Sequence, residues 1–223
     1  MAFQLNKIYY FLSGLFVLIA ISCYILGEHG DGIIWLSERR TPLLSSFFYH
    51  VTRVGEEWTY VFLLIILLFY RFKEALMVLV LAVAVPVFSL SLKGLFAQPR
   101  PKRYFTDIGL FDGINLVENI ELYAAHTSFP SGHTMSAFAV LGFAAFVFRH
   151  SKLASILLGL LAIMVALSRV YLVQHFLIDV AAGAAVGCLI TLIVSWLSLR
   201  FEQRKEPWLQ KNLRTLSQSP IKD

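Results

Sequence analysis

Six stretches of this chain are so apolar and so long that only a bilayer or a fully enclosed core can hold them. They fall at residues 8–26, 55–71, 74–96, 131–149, 153–173 and 175–199. A helix crossing a bilayer core needs about 20 apolar residues, and most of the six reach that length. The second is the shortest, continuously apolar only from Trp58 to Tyr70. Water-soluble domains carry about 25% charged residues. Here 15% are charged and 58% hydrophobic, with a mean hydropathy of +0.71, which excludes a disordered chain, a disulfide scaffold and a coiled coil. The expected fold is all-α: one polytopic membrane domain over residues 1–223, with six transmembrane helices and a basic tail from 200 to 223. Lys7 precedes the first run, and Ala20-Ile21-Ser22-Cys23 loosely resembles a lipoprotein cleavage site. The run is longer than a signal peptide core and no small-x-small site follows it, so it reads as an uncleaved span. Cys23 and Cys188 both lie inside apolar runs and read as free thiols.

Charge orients the chain. With both termini in the cytoplasm, that side collects eleven of the nineteen basic residues but four of the fourteen acidic ones. The short turns holding Arg71, Lys73, Arg149 and Lys152 weigh most, because short loops obey the positive-inside bias best. The formal charge of +5 therefore reflects topology, and no nucleic-acid partner is expected. Residues 28–57 and 99–130 then face outward. In the first, Ile33, Trp35, Leu36, Leu43, Phe47 and Phe48 alternate with charges, which predicts short amphipathic helices along the outer interface.

Polar groups at membrane depth are expensive and mark function. Six spans bring Lys93, Arg100, His133, Arg169, His175 and Asp179 to one outer boundary. Three cations that rarely lose their protons suit a phosphate dianion, and arginine offers it a bidentate fork. Pro130-Ser131-Gly132 leads into a helix whose free N–H groups attract anions, and Gly132 leaves room for a close approach. His175 and Asp179 stand at i and i+4 on one helix face. A carboxylate on Nδ1 would leave Nε2 free to attack, and His133 would protonate the leaving oxygen. Read singly, each residue has a plainer role. Lys93 snorkels, Ser131 caps a helix, and His175 with Asp179 forms a buried pair or part of a metal site. The surrounding cations weigh against the metal, and none is expected. Lys102 and Arg103 add charge beside the site, either to grip a second phosphate or to meet anionic headgroups.

Together these residues spell three spaced motifs: Lys93 to Arg100-Pro101, Pro130-Ser131-Gly132-His133, and Ser168-Arg169 to His175 to Asp179. In them the chain resembles the type 2 phosphatidic acid phosphatase family, with no departure at any motif position. The resemblance implies a bacterial lipid phosphatase of the inner membrane with its site toward the periplasm and no cofactor. It also implies a phosphohistidine at His175 oriented by Asp179, with His133 as general acid. Lys93, Arg100, Ser131, Gly132 and Arg169 would hold phosphate oxygens. Expected substrates are phosphorylated membrane lipids: undecaprenyl pyrophosphate, phosphatidylglycerophosphate, phosphatidic acid or a lipid A phosphate. A phosphotransferase with the same intermediate, or a transporter that only binds the phosphate, stands as the alternative.

Overall fold

The computed structural model describes residues 6–203 and 207–217. Arg204, Lys205, Glu206, Lys222 and Asp223, all counted in the charge argument, lie outside the described residues. Among the described residues the structure is entirely helical. Helix α1 is Lys7–Leu26, α2 Asp31–Glu38, α3 Pro42–Val51, α4 Glu57–Tyr70, α5 Phe72–Phe96 and α6 Pro101–Asp107. Then come α7 Gly132–Val147, α8 Lys152–Tyr171, α9 Leu177–Gln203 and a last turn, α10, Leu213–Ser217. Local chemistry sets the starts. Asn6, Thr41, Ser131 and Ser151 accept a backbone N–H from the first turns of α1, α3, α7 and α8, which satisfies donors a helix cannot pair internally.

Four helical stretches, α1, α5 with α6, α8 and α9, are long and apolar enough to cross a membrane. The second and fourth expected spans come out shorter, at 14 residues for α4 and 16 for α7. At 1.5 Å per residue these run about 21 and 24 Å, against a bilayer core of about 30 Å. The physical reason differs for each. Helix α4 is preceded by a 3₁₀ turn at Thr52–Gly55 and ends where Arg71 turns extended. Helix α7 is buried on every side, and irregular backbone at membrane depth is tolerated where protein surrounds it. Both short helices begin at the same end of the bundle, so their starts frame a recess there.

Helix α7 is the axis of the bundle, with Met135, Phe138 and Phe143 fully buried. It packs most closely on α9, because a Cβ on Gly187 would lie 2.5 Å from the Met135 carbonyl oxygen. One on Gly183 would lie 2.6 Å from that of Ser131. Small residues four apart let two membrane helices touch backbone to backbone. Tyr9 of α1 donates its hydroxyl to the Phe138 carbonyl at 2.9 Å. Outward, Phe11, Leu18, Phe62, Val83, Leu90 and Leu157 are exposed, the apolar surface expected to meet lipid.

At the far end from the site, Lys73 is buried rather than free in a basic turn. It pairs with Glu74 at 3.1 Å and Glu202 at 3.3 Å, and Ser198 donates to Glu74. The Phe72 N–H donates to the Lys211 carbonyl, so the described part of the tail docks on the α4–α5 turn.

Candidate active site

Helix α9 opens with its own N-terminal chemistry. The Asp179 carboxylate, in the first turn, accepts the Phe176 N–H at 2.9 Å, an arrangement favoured by the free donors and the positive end of the helix dipole. The same oxygen, Oδ2, lies 3.4 Å from His175 Nδ1. It also accepts the Ser128 hydroxyl at 2.5 Å. Both His175 and Asp179 are buried, so the i, i+4 pairing read from sequence is present, but as a three-way cluster. The His175 N–H donates to the Arg169 carbonyl at 3.1 Å, so the turn from α8 into α9 carries both residues as one unit. His175 lies in that turn, outside the helices. Burial pushes its imidazole down to about 4, while Asp179 pulls the other way.

The Ser131 N–H donates to the Asp179 carbonyl at 3.0 Å, which clamps the start of α7 to α9. Ser131 also caps α7, and its hydroxyl accepts that of Thr134 at 3.0 Å. Its plain structural role is therefore real whatever else it binds. The space beside Gly132 is occupied by α5: a Cβ there would sit 3.0 Å from Ser89 Oγ and 3.6 Å from Lys93 Nζ. The missing side chain leaves the Lys93 ammonium close beside the first turn of α7.

Arg100 and Arg169 complete the cation group. Arg100, in the link after α5, reaches Gln174 Oε1 at 3.3 Å and Thr127 Oγ1 at 3.4 Å. Arg169 is buried and donates to Thr52 Oγ1 at 2.8 Å, while its Nε is enclosed without a protein partner. Lys93, Arg100, Arg169 and both histidines act on one another electrostatically. A cavity of about 800 Å³ opens onto His133, Arg169, Gln174, Tyr123 and Glu56. A second, of about 280 Å³, runs from His133 between α4 and α5 past Tyr60, Val85 and Pro86.

Two sequence candidates stay outside this group. Arg103 is exposed and forks onto Asp107 at 3.0 and 2.9 Å. Lys102 donates to the Leu122 carbonyl at 3.3 Å. Arg103 is thus paired within α6, and Lys102 ties α6 to the loop at Leu122. His29 packs its ring 4.0 Å from that of Phe176. Burial lowers its imidazole, with Asp179 again opposing.

Several site residues carried no sequence signal. Ser128 sits in a polar loop without periodicity. Thr52 and Glu56 belong to an outer stretch where every polar residue looks alike. Glu56 Oε1 is 4.0 Å from His133 Nε2. Gln174 was more legible, a lone amide between Val173 and His175.

A family model of the PAP2 superfamily matches residues 73–203, which contain all three motifs. The chain belongs to the PAP2 superfamily. Among similar proteins, the lipid A 4'-phosphatase of Porphyromonas gingivalis is 29% identical over 75% of this chain and 71% of its own length. Phosphatidylglycerophosphatase B of Bacillus subtilis is 40% identical, over 30% of this chain and 37% of that protein. The bacitracin transport permease protein BcrC of Bacillus licheniformis is 45% identical over 31% of this chain and 32% of its own. The crystal structure of Aquifex aeolicus LpxE superposes with a TM-score of 0.58 at 30% identity, covering 75% of this chain and 92% of that one. A Bacillus subtilis PAP2-type phosphatidylglycerolphosphate phosphatase shares the fold, with a TM-score of 0.60 at 22% identity over 89% and 97%.

Proposed function

We propose that this superfamily member hydrolyses a phosphomonoester or pyrophosphate on a membrane lipid through a phosphohistidine at His175. The observation that carries the reading is the enclosed cation group at the shared ends of α5, α7, α8 and α9, set directly against the buried His175–Asp179 pair. Neutral Nε2 attacks phosphorus while Asp179 holds Nδ1–H. The P–O bond to the lipid breaks, and His133 gives the leaving oxygen its proton. His133, now neutral, takes a proton from a water that attacks phosphorus; the P–N bond breaks, which releases orthophosphate and restores both imidazoles. Charge builds on the phosphoryl oxygens, where Lys93, Arg100, Arg169 and the α7 N–H groups stabilise it without reorganising. Among the described residues no three His, Cys, Asp or Glu side chains gather as a metal-ligand set, so the chemistry proposed here uses protein cations.

Two cavities meeting at His133 suit a lipid. The wider, polar one takes a headgroup, and the cleft between α4 and α5 faces the apolar side. We place the site at the outer face of a bacterial inner membrane. Six helices cross, both termini are cytoplasmic, and α2 and α3 lie along the interface. Purified protein in detergent, supplied with chelator and a panel of lipid phosphates, should release orthophosphate, and His175→Ala should not. The printed name of the Bacillus licheniformis relative favours one other reading, transport. A transporter would bind these lipids and release no phosphate.

A further inference from the structure

A third cavity, of about 580 Å³, adjoins the catalytic one on the outer face. Arg40, Ser45, Ser46 and Tyr49 form one wall, and Asn115 and Glu118 of the outer loop form the other. Tyr49 also lines the cavity that holds His133 and Arg169, so the two spaces are neighbours. Arg40 is built into this boundary. Its Nη2 donates to the Tyr171 carbonyl, and its guanidinium lies 5.1 Å from the Tyr171 ring centre. Tyr171 in turn pairs its hydroxyl with Ser45 at 3.0 Å and stands two residues beyond Arg169.

Two further nitrogens of Arg40, Nε and Nη1, are enclosed without a protein partner. Its neighbour Arg39 has Glu38, whereas Arg40 has no carboxylate partner among the described residues. Burying guanidinium donors unpaired is costly, and an oxyanion is what would satisfy a fork of this kind. The phosphate being cleaved already has Lys93, Arg100 and Arg169. Arg40 therefore addresses a different anion, in the adjoining space. The two phosphorus atoms of a diphosphate share a bridging oxygen and belong in one cavity, whereas a headgroup with separated anions fills both. The remaining lining is hydroxyls, two amides, one carboxylate and a tyrosine ring beside three apolar side chains; the polar groups can pair sugar hydroxyls and the apolar ones suit the faces of the sugar rings.

We infer that the Arg40 cavity is a headgroup subsite for a glycolipid carrying a second phosphate, which Arg40 pairs while the first is cleaved. The inference rests on the phosphatase reading above. Its test compares three lipids with purified full-length protein: a glucosamine disaccharide lipid with two phosphates, the same lipid with one, and phosphatidic acid. The wild type should prefer the bis-phosphorylated glycolipid in kcat/KM. Arg40→Met should cut its preference over the mono-phosphorylated form by about tenfold or more, the scale of one lost charge-assisted hydrogen bond, mainly through KM. Because Arg40 also holds the end of α8, Ser46→Phe provides an independent arm. It fills the cavity from an exposed position and should lower kcat/KM on both glycolipids more than on phosphatidic acid. Equal losses on all three lipids, or a wild type that cleaves phosphatidic acid but not the glycolipids, would overturn the subsite. No phosphate release from any lipid would overturn the phosphatase reading itself.

Discussion

Ser128 gives the sharpest test of how the site is held together. Its hydroxyl donates to Asp179 Oδ2 at 2.5 Å in a fully buried setting. The other carboxylate oxygen, Oδ1, has no protein partner. Ser128→Ala would leave the carboxylate with the Phe176 N–H at 2.9 Å and with His175 Nδ1 at a long 3.4 Å. A hydrogen bond to a buried charge is worth about 1.5–3 kcal/mol. If that interaction fixes the imidazole for attack, the loss falls on the transition state and lowers kcat by roughly 10- to 100-fold, since each 1.36 kcal/mol is tenfold. KM should barely move, because Ser128 touches neither cation group nor cavity. The assay is steady-state phosphate release in detergent, paired with thermal unfolding of the same preparations. A variant with kcat within about threefold of wild type, and only a lowered Tm, would refute the positioning role and leave Ser128 as a loop anchor.

Further outcomes follow from other contacts. Gly187→Ala should lower Tm and kcat together, because its Cβ would stand 2.5 Å from the Met135 carbonyl and force α9 off α7; overpacking of this kind costs about 1–3 kcal/mol, and an unchanged Tm would contradict the close packing. In histidine-labelled protein followed by NMR, His175 should remain neutral as pH falls through 6.5 and gain its proton only near 4, so the nucleophile is lost below that value; protonation near 6.5 would contradict the enclosed site. Cysteine at exposed Asp107 should react with an impermeant reagent in intact spheroplasts, and cysteine at exposed Ser151 only after lysis; the reverse pattern would invert the topology.

Much of this was legible because membranes leave few options. Apolar length located every long helix, and the cost of buried charge singled out Lys93, Arg100, His133, Arg169, His175 and Asp179 before any contact was known. What stayed hidden depended on packing between distant segments. Helices α4 and α7 are shorter than the spans expected at 55–71 and 131–149, α4 because a 3₁₀ turn precedes it and Arg71 ends it, α7 because protein encloses it. Gly132 reads as room for a ligand, yet the space it leaves is taken by Ser89 and Lys93. Lys102 and Arg103 sit next to Arg100 in sequence, but α6 turns them onto Asp107 and the Leu122 carbonyl. Arg40 lies far from every motif and still reaches the end of α8 at Tyr171, through a backbone carbonyl that no residue pattern can announce.

The central claim is that phosphorus passes through His175. Purified protein in excess over a ³²P-labelled lipid phosphate, quenched in alkali within milliseconds, should carry the label on the peptide containing His175. The label should decay as orthophosphate appears, and it should be absent from the His175→Ala variant. Orthophosphate appearing in the first turnover with no labelled protein, or with the label on another residue, would contradict the account.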